Sequence, residues 1–128
     1  MRILLDTHAL LWWLAGDSAL SVRARETIAD STNEVFVSAA SAWEVTTKHR
    51  LGKLPGAGPL AVDFAREVRA QGFIPLGISL EHGQSAGALP GDHRDPFDRM
   101  LIVQARDEHM ALVSNESAFD AYGISRIW

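Results

Sequence analysis

Residues Ile3-Leu4-Leu5 form an apolar run that stops abruptly at Asp6. So short and uniform a run reads as a strand buried on both faces of a parallel sheet, because a half-buried strand would alternate. In open α/β sheets, ligands bind at the carboxyl ends of the strands, so an aspartate at that point faces the crevice. The competing reading makes Asp6 only the N-cap of a helix beginning near Thr7, since aspartate is a favoured cap.

Strand-like and helix-like stretches continue to alternate after this start. Ala9 to Ala15 reads as a helix stopped by Gly16. It is apolar almost all round, and Trp12 and Trp13 cannot both face one core, because neighbours on a helix lie about 100° apart. Either one face meets a partner chain or the helix is buried on two sides within the domain. Ser21 to Asp30 reads as an amphipathic helix and Glu34 to Val37 as a strand. Ser38 is suited to cap a helix running through Arg50. Pro55 to Pro59 is a turn, Leu60 to Ala70 a helix, and Phe73 to Leu76 a strand placed at a sheet edge by Pro75. Leu80 to Ala88 reads as helix, Pro90 to Arg94 as loop, and Pro96 to His109 as a strong helix. Strands follow at Ala111 to Val113 and Ser125 to Trp128. The alternation argues for a parallel sheet between helices, within one domain spanning residues 1–128.

Composition excludes several classes. The chain has no cysteine, hence no disulfide framework and no thiolate metal site, which fits a reducing cytoplasm. No apolar run approaches membrane-spanning length, and no signal-type segment opens the chain. The net charge of −4 gives no overall attraction for nucleic acid, so any such binding needs a local basic patch. There is neither a P-loop nor a Gly-x-Gly-x-x-Gly pattern, which argues against nucleotide cofactors.

Most acids, among them Asp17, Glu26, Asp30, Glu67, Asp107 and Glu108, sit where a solvated face would put them. Asp6, Glu44, Asp98 and Glu116 resist that reading. Glu44 interrupts the mostly apolar Ala39-Ala-Ser-Ala-Trp-Glu-Val45; its bland alternative is an exposed pair with Lys48 at i+4. Asp98 lies one turn ahead of the stripe Leu101, Ile102 and Ala105, although a first-turn acid also suits the helix dipole. Glu116 follows the strand Leu112-Val113 in the loop leaving the sheet. Acids gathered at one end of a sheet repel one another, and a cation relieves the repulsion. An oxygen-only site favours Mg²⁺ or Mn²⁺. Such a site can activate water and stabilise charge on a transferring phosphoryl group, so the residues point to metal-assisted phosphoester hydrolysis. A zinc site would need histidines at ligand spacing, and His8, His49, His82, His93 and His109 are scattered. Lys48, Arg50 and Lys53 follow Glu44, while Arg94 and Arg99 flank Asp98. Lys48, Lys53, Arg94 and Arg99 are candidate phosphate contacts, against ordinary ion pairing as the alternative.

The chain resembles the PIN-domain ribonucleases, specifically the VapC-type toxins of bacterial toxin–antitoxin pairs. The resemblance is carried by Leu4-Leu-Asp-Thr-His-Ala-Leu-Leu-Trp12, Ser41-Ala-Trp-Glu-Val45 with Gly52-Lys-Leu54, and His93-Arg-Asp-Pro-Phe-Asp-Arg-Met-Leu-Ile-Val-Gln-Ala105. Leu112-Val-Ser114 and the stretch from Phe119 through Tyr122-Gly123 to Ile127-Trp128 complete it. It implies a three-layer α/β/α fold with a mostly parallel five-stranded sheet, usually dimeric. It further implies Mg²⁺-dependent cleavage of RNA in the cytoplasm, with a small antitoxin as protein partner. The family's acidic quartet corresponds to Asp6, Glu44, Asp98 and Glu116, with Asp6 and Asp98 binding the metal. The last position is usually aspartate, so Glu116 departs from the pattern. Thr7 and Ser114 correspond to hydroxyls beside the metal site. Asp95 shares a face with Asp98, but Pro96 behind it favours an N-cap over a metal ligand. Beside this reading stand a PIN-fold RNA- or protein-binding module with weakened catalysis and a phosphatase using Asp6 as nucleophile. The latter would want a second aspartate where His8 stands. A receiver-like module would need an acidic pair that is absent.

Overall fold

The computed structural model describes residues 1–128. Five strands form one sheet in the order β3-β2-β1-β4-β5. They are β1 (Arg2–Leu5), β2 (Glu34–Ser38), β3 (Ile74–Leu76), β4 (Ala111–Val113) and β5 (Arg126–Ile127). Every pairing is parallel, with Leu5 opposite Val37 on one side and Val113 on the other. Pro75 lies in the edge strand β3, as its missing N–H requires.

Alternation along the strands divides the core into two layers. Ile3, Leu5, Val35, Val37 and Val113 face α1 (Thr7–Ala15), α2 (Val22–Ala29), α3 (Ala39–Arg50), α4 (Pro59–Val62) and α5 (Phe64–Ala70). Leu4, Phe36 and Leu112 face α6 (Leu80–Ala88), α7 (Pro96–Asp107) and the 3-10 segment Ser117–Tyr122. The run Ile3-Leu4-Leu5 is therefore uniformly apolar because successive side chains enter opposite layers, each fully buried.

Local chemistry sets the helix ends. Asp6 caps α1 by accepting from the Ala9 amide at 2.7 Å, and Ser38 caps α3 by accepting from Ala40 at 3.0 Å. Lys48, His49 and Arg50 fill the last turn of α3, where the helix dipole favours cations. The single helix expected over residues 60–70 is divided: Asp63 leaves helical geometry and its side chain caps α5 at the Arg66 amide. A short polar side chain that bonds the backbone ahead of it competes with helix continuation. The last expected helix stops at Asp107, two residues early, and His109 turns the chain with φ 54°. No helix is long and apolar enough to cross a membrane.

The two tryptophans of α1 both pack against aromatic side chains of the same chain and are half-buried. Trp12 packs against Trp128 with ring centroids 5.7 Å apart, and Trp13 against Phe73 at 6.2 Å. Trp13 also donates its indole N–H to Gln71 at 3.1 Å. Packing on two sides within the chain accounts for much of the all-round apolar helix, while Trp12 and Trp13 each stay half-buried. The tryptophan most open to solvent is Trp43, 61% exposed and set edge-on to Phe97.

The sheet places a switch point between β1 and β4. From β1 the chain builds outward through β2 and β3, then returns to add β4 and β5 on the other side. The connections at β1 and β4 therefore leave in opposite directions and open a crevice at the strand ends. The Asp6 amide bonds the Val113 carbonyl at 3.1 Å across that point. Leu10 seats α1 on this part of the sheet and is fully buried. Leu10→Ala is expected to cost about 2–5 kcal/mol, read as a lower urea midpoint with an unchanged slope.

Candidate metal centre

The crevice collects acids from several elements. Asp6 directly follows β1, Glu44 lies in α3, Asp98 in the first turn of α7, and Glu116 in the loop after β4. Asp6 and Glu44 are each only 4% exposed. One Asp6 oxygen caps α1, so the capping and crevice readings hold together in the same carboxylate. Glu44 accepts the Thr7 hydroxyl at 2.6 Å and is paired with Lys48. The expected i+4 pair therefore exists, but on a buried glutamate. Thr7 also lies 3.0 Å from the Ser41 hydroxyl, which joins α1 to α3 below the acids.

Burial and charge show in the proton affinities. Asp98 is pushed up to about 8, first by burial and then by the charges of Asp95, Glu116, Glu44 and Asp6. Asp6 is also raised, chiefly by burial, against the opposing Ser114 hydroxyl, the Ala9 amide and His8. The Glu116 amide donates to the Ser114 hydroxyl at 3.0 Å, forming a tight turn at the end of β4. Donor atoms of His93, Asp98 and Glu116 lie within 4.8 Å of one another. Carboxylates gathered so that neighbouring acids raise the proton affinity of Asp98 and Asp6 are a donor set that a divalent cation fits.

The other expected residues take distinct places. Asp95 is the N-cap of α7, accepting from Phe97 at 2.9 Å and Asp98 at 3.1 Å. Lys53 and Arg94 are exposed and form no salt bridge. Arg99 departs from the expected phosphate contact. Its guanidinium donates to the carbonyls of Ala86, Leu89 and His93, which ties the end of α6 and the following loop to α7. With its donors on buried-side carbonyls it is a structural clamp.

His93 escaped the sequence reading. It stands 3.2 Å from Asp98 through Nε2. Ligand spacing among the histidines gave no sign of it, because it meets the acids singly. The available signals were its place at the head of the stretch His93–Ala105 that carries the family resemblance, and its position five residues before Asp98, across the N-cap and proline that start α7.

The raised Asp98 has a thermodynamic consequence. Between the ordinary 3.8 and about 8, the folded chain holds a proton there that the unfolded chain has released. Folding is then linked to proton uptake, so stability falls as pH rises through that window. Asp6 contributes with the same sign. Thermal melts of EDTA-treated protein should show this fall, and Asp98→Asn should flatten it. A slope unchanged by the substitution would contradict the assignment.

Comparison with known proteins agrees with this architecture. The family model for the PIN domain matches residues 3–124. Ribonuclease VapC16 of Mycobacterium tuberculosis is 39% identical over 69 residues, covering 54% of this chain and 48% of the relative. The matched part is thus about half of that protein's length. Ribonuclease VapC22 of the same organism is 29% identical over 118 residues, covering 89% of this chain and 86% of the relative. VapBC2 from Rickettsia felis, solved bound to a DNA fragment from its promoter, has a TM-score of 0.68 at 14% identity. That likeness covers 98% of this chain and 97% of the other. VapC20 of Mycobacterium tuberculosis, a sarcin–ricin loop cleaving toxin, has a TM-score of 0.66 at 16% identity, covering 95% of each chain. These two structures share the fold. With the family model spanning nearly the whole sheet and the crevice at its switch point, the chain belongs to the PIN-domain family.

Proposed function

We propose that the protein is a Mg²⁺-dependent endoribonuclease, with Mn²⁺ able to substitute, that hydrolyses RNA phosphodiester bonds as the toxin of a toxin–antitoxin pair. The observation that carries this reading is the convergence of Asp6, Asp98, Glu116 and Glu44, with Asp98 raised to about 8 by burial and by the other acids. The similarity to Ribonucleases VapC16 and VapC22 supports it. Residues 1–128 act as one domain, in the cytoplasm, as a homodimer held in check by a small antitoxin. A basic side chain of that antitoxin entering the acidic crevice would satisfy the same charges as a cation.

Asp6 and Asp98 hold the cation, and Glu44 and Glu116 complete the negative field around it. The bound ion supplies Lewis-acid stabilisation of charge on the phosphoryl group and eases deprotonation of the attacking water. Thr7 fixes Glu44 by its hydroxyl bond, and Ser114 holds the turn that returns Glu116 to the crevice. Lys48 offsets part of the acidic charge from the α3 side. Lys53 and Arg94 are free to meet RNA phosphates, and a chain of net charge −4 needs such local contacts.

A donor atom of Glu116 inside the same 4.8 Å grouping as Asp98 supports a place for it at the site despite its longer stem. A water-bridged contact tolerates a change of reach, because the water repositions. Glu116→Asp should therefore change the cleavage rate by less than about tenfold, equivalent to roughly 1.4 kcal/mol. Glu116→Gln should weaken Mg²⁺ dependence without erasing activity. Wild-type behaviour of Glu116→Gln at limiting Mg²⁺ would remove Glu116 from the site.

The reading is tested by single-turnover RNA cleavage with purified protein across a Mg²⁺ titration, with EDTA as control. Cleavage should require Mg²⁺ and be lost in folded Asp6→Asn and Asp98→Asn. Undiminished cleavage by either variant, or no cleavage by the wild type, would overturn it. The second outcome would favour a PIN-fold binding module.

A further inference from the structure

His93 lies in the connection between α6 and α7, yet several contacts hold it. Its backbone N–H donates to the Tyr122 hydroxyl at 3.2 Å, and its carbonyl accepts from Arg99 at 3.0 Å. Its ring stacks on Phe119, with centroids 5.9 Å apart and planes 21° from parallel. Phe119 is itself fully buried. Gly91 lets the loop pass close over Tyr122. A Cβ there would stand 2.7 Å from the Tyr122 hydroxyl, and its φ of +114° disfavours a side chain in any case. Connecting loops are ordinarily the mobile and variable part of a fold. Here one residue of a loop is fixed in backbone position and ring plane.

The hydrogen bonds also fix its proton. The Asp95 backbone amide, which can only donate, lies 3.3 Å from His93 Nδ1. Nδ1 must therefore be the unprotonated acceptor, and the ring proton sits on Nε2. Nε2 is the atom 3.2 Å from Asp98 Oδ2. A nitrogen whose proton points at a carboxylate has no lone pair to give a metal. His93 thus differs in kind from Asp98 and Glu116, although donor atoms of all three lie within 4.8 Å of one another.

We propose that His93 is a positioning residue of the cation site: its Nε2–H holds Asp98 Oδ2, sets the rotation of that carboxylate, and leaves Oδ1 to face the ion. Hydrogen bonds to ligating carboxylates orient the ligand, and their loss typically weakens metal affinity about 10- to 100-fold. The segment Gly91–Asp95, with Tyr122, Phe119 and Arg99, is then the frame that holds the histidine. The inference rests on the metal-site part of the proposed function and not on the identity of the RNA.

Two measurements test it without RNA. In the unaltered full-length protein labelled with ¹⁵N-histidine, NMR should show His93 protonated on Nε2 and unprotonated on Nδ1, both before and after Mg²⁺ is added. Loss of the Nε2 proton on adding Mg²⁺ would make His93 a ligand and overturn the proposal, as would a protonated Nδ1 in the ion-free protein. Calorimetric titration with Mn²⁺ gives the second readout, with circular dichroism confirming the fold of each variant. His93→Ala should bind about 10- to 100-fold more weakly. His93→Gln, whose amide N–H reaches close to the place of Nε2–H, should recover most of the loss. Gly91→Ala, which touches no acid, should weaken binding by displacing the loop from Tyr122. Wild-type affinity in His93→Ala, or no recovery in His93→Gln, would overturn the proposal. Failure of the wild type to cut RNA would sink the nuclease reading and leave these results standing.

Discussion

Repulsion among buried carboxylates at the ends of β1 and β4 is the constraint around which this protein is arranged. Asp6 and Glu44 are nearly inaccessible, and Asp98 retains its proton up to about 8. Burial disfavours the negative charges of Asp98 and Asp6, and neighbouring acids make both harder to ionise. A fold seeking only stability would place apolar side chains there. This one places the acids on separate elements, so that only the assembled sheet brings them together. The parallel order β3-β2-β1-β4-β5 supplies the crevice, and the Asp6 amide bond to Val113 closes it at the base.

The surrounding polar groups manage this charge. Lys48 pairs with Glu44, and Thr7 donates to the same carboxylate. Ser114 receives the Glu116 amide, and Asp95 is turned to capping α7. These contacts restrain most of the acids, while Asp98 has the histidine as its close partner. The site therefore holds its geometry before any ion arrives, and a cation meets ligands already oriented. Preorganisation of this kind lets an enzyme stabilise developing charge without rearranging at the moment of reaction.

Much of this was legible in the sequence because the relevant signals are local. The run Ile3-Leu4-Leu5 ending in Asp6, the cap Ser38 ahead of an apolar helix, and Pro96 opening α7 each carry their structural meaning within a few residues. The edge position of β3 followed from Pro75 alone. What escaped depends on contacts between distant segments. Arg99 beside Asp98 looks like a phosphate contact until the carbonyls of Ala86 and Leu89 are brought next to it. His93 looks like a lone loop histidine until Phe119 and Tyr122, far along the chain, fix its ring and backbone. For Trp12 and Trp13, only the arrival of Trp128 and Phe73 shows which side chains of the same chain they pack against. The division at Asp63 is a different case, since an aspartate inside a helical pattern already signals a possible cap.

The central claim is that this acidic crevice, strained by its own charge, is completed by a divalent cation. Its most direct test is the number of protons released when Mg²⁺ binds, measured by calorimetry in buffers of different ionisation enthalpy. With Asp98 protonated up to about 8 in the ion-free protein, binding near neutral pH must displace that proton. The expected result is release approaching one proton per ion, shrinking toward zero above that pH, with affinity rising over the same range. Binding with no proton release and no pH dependence would show that the acids do not share the charge as described, and would contradict the account.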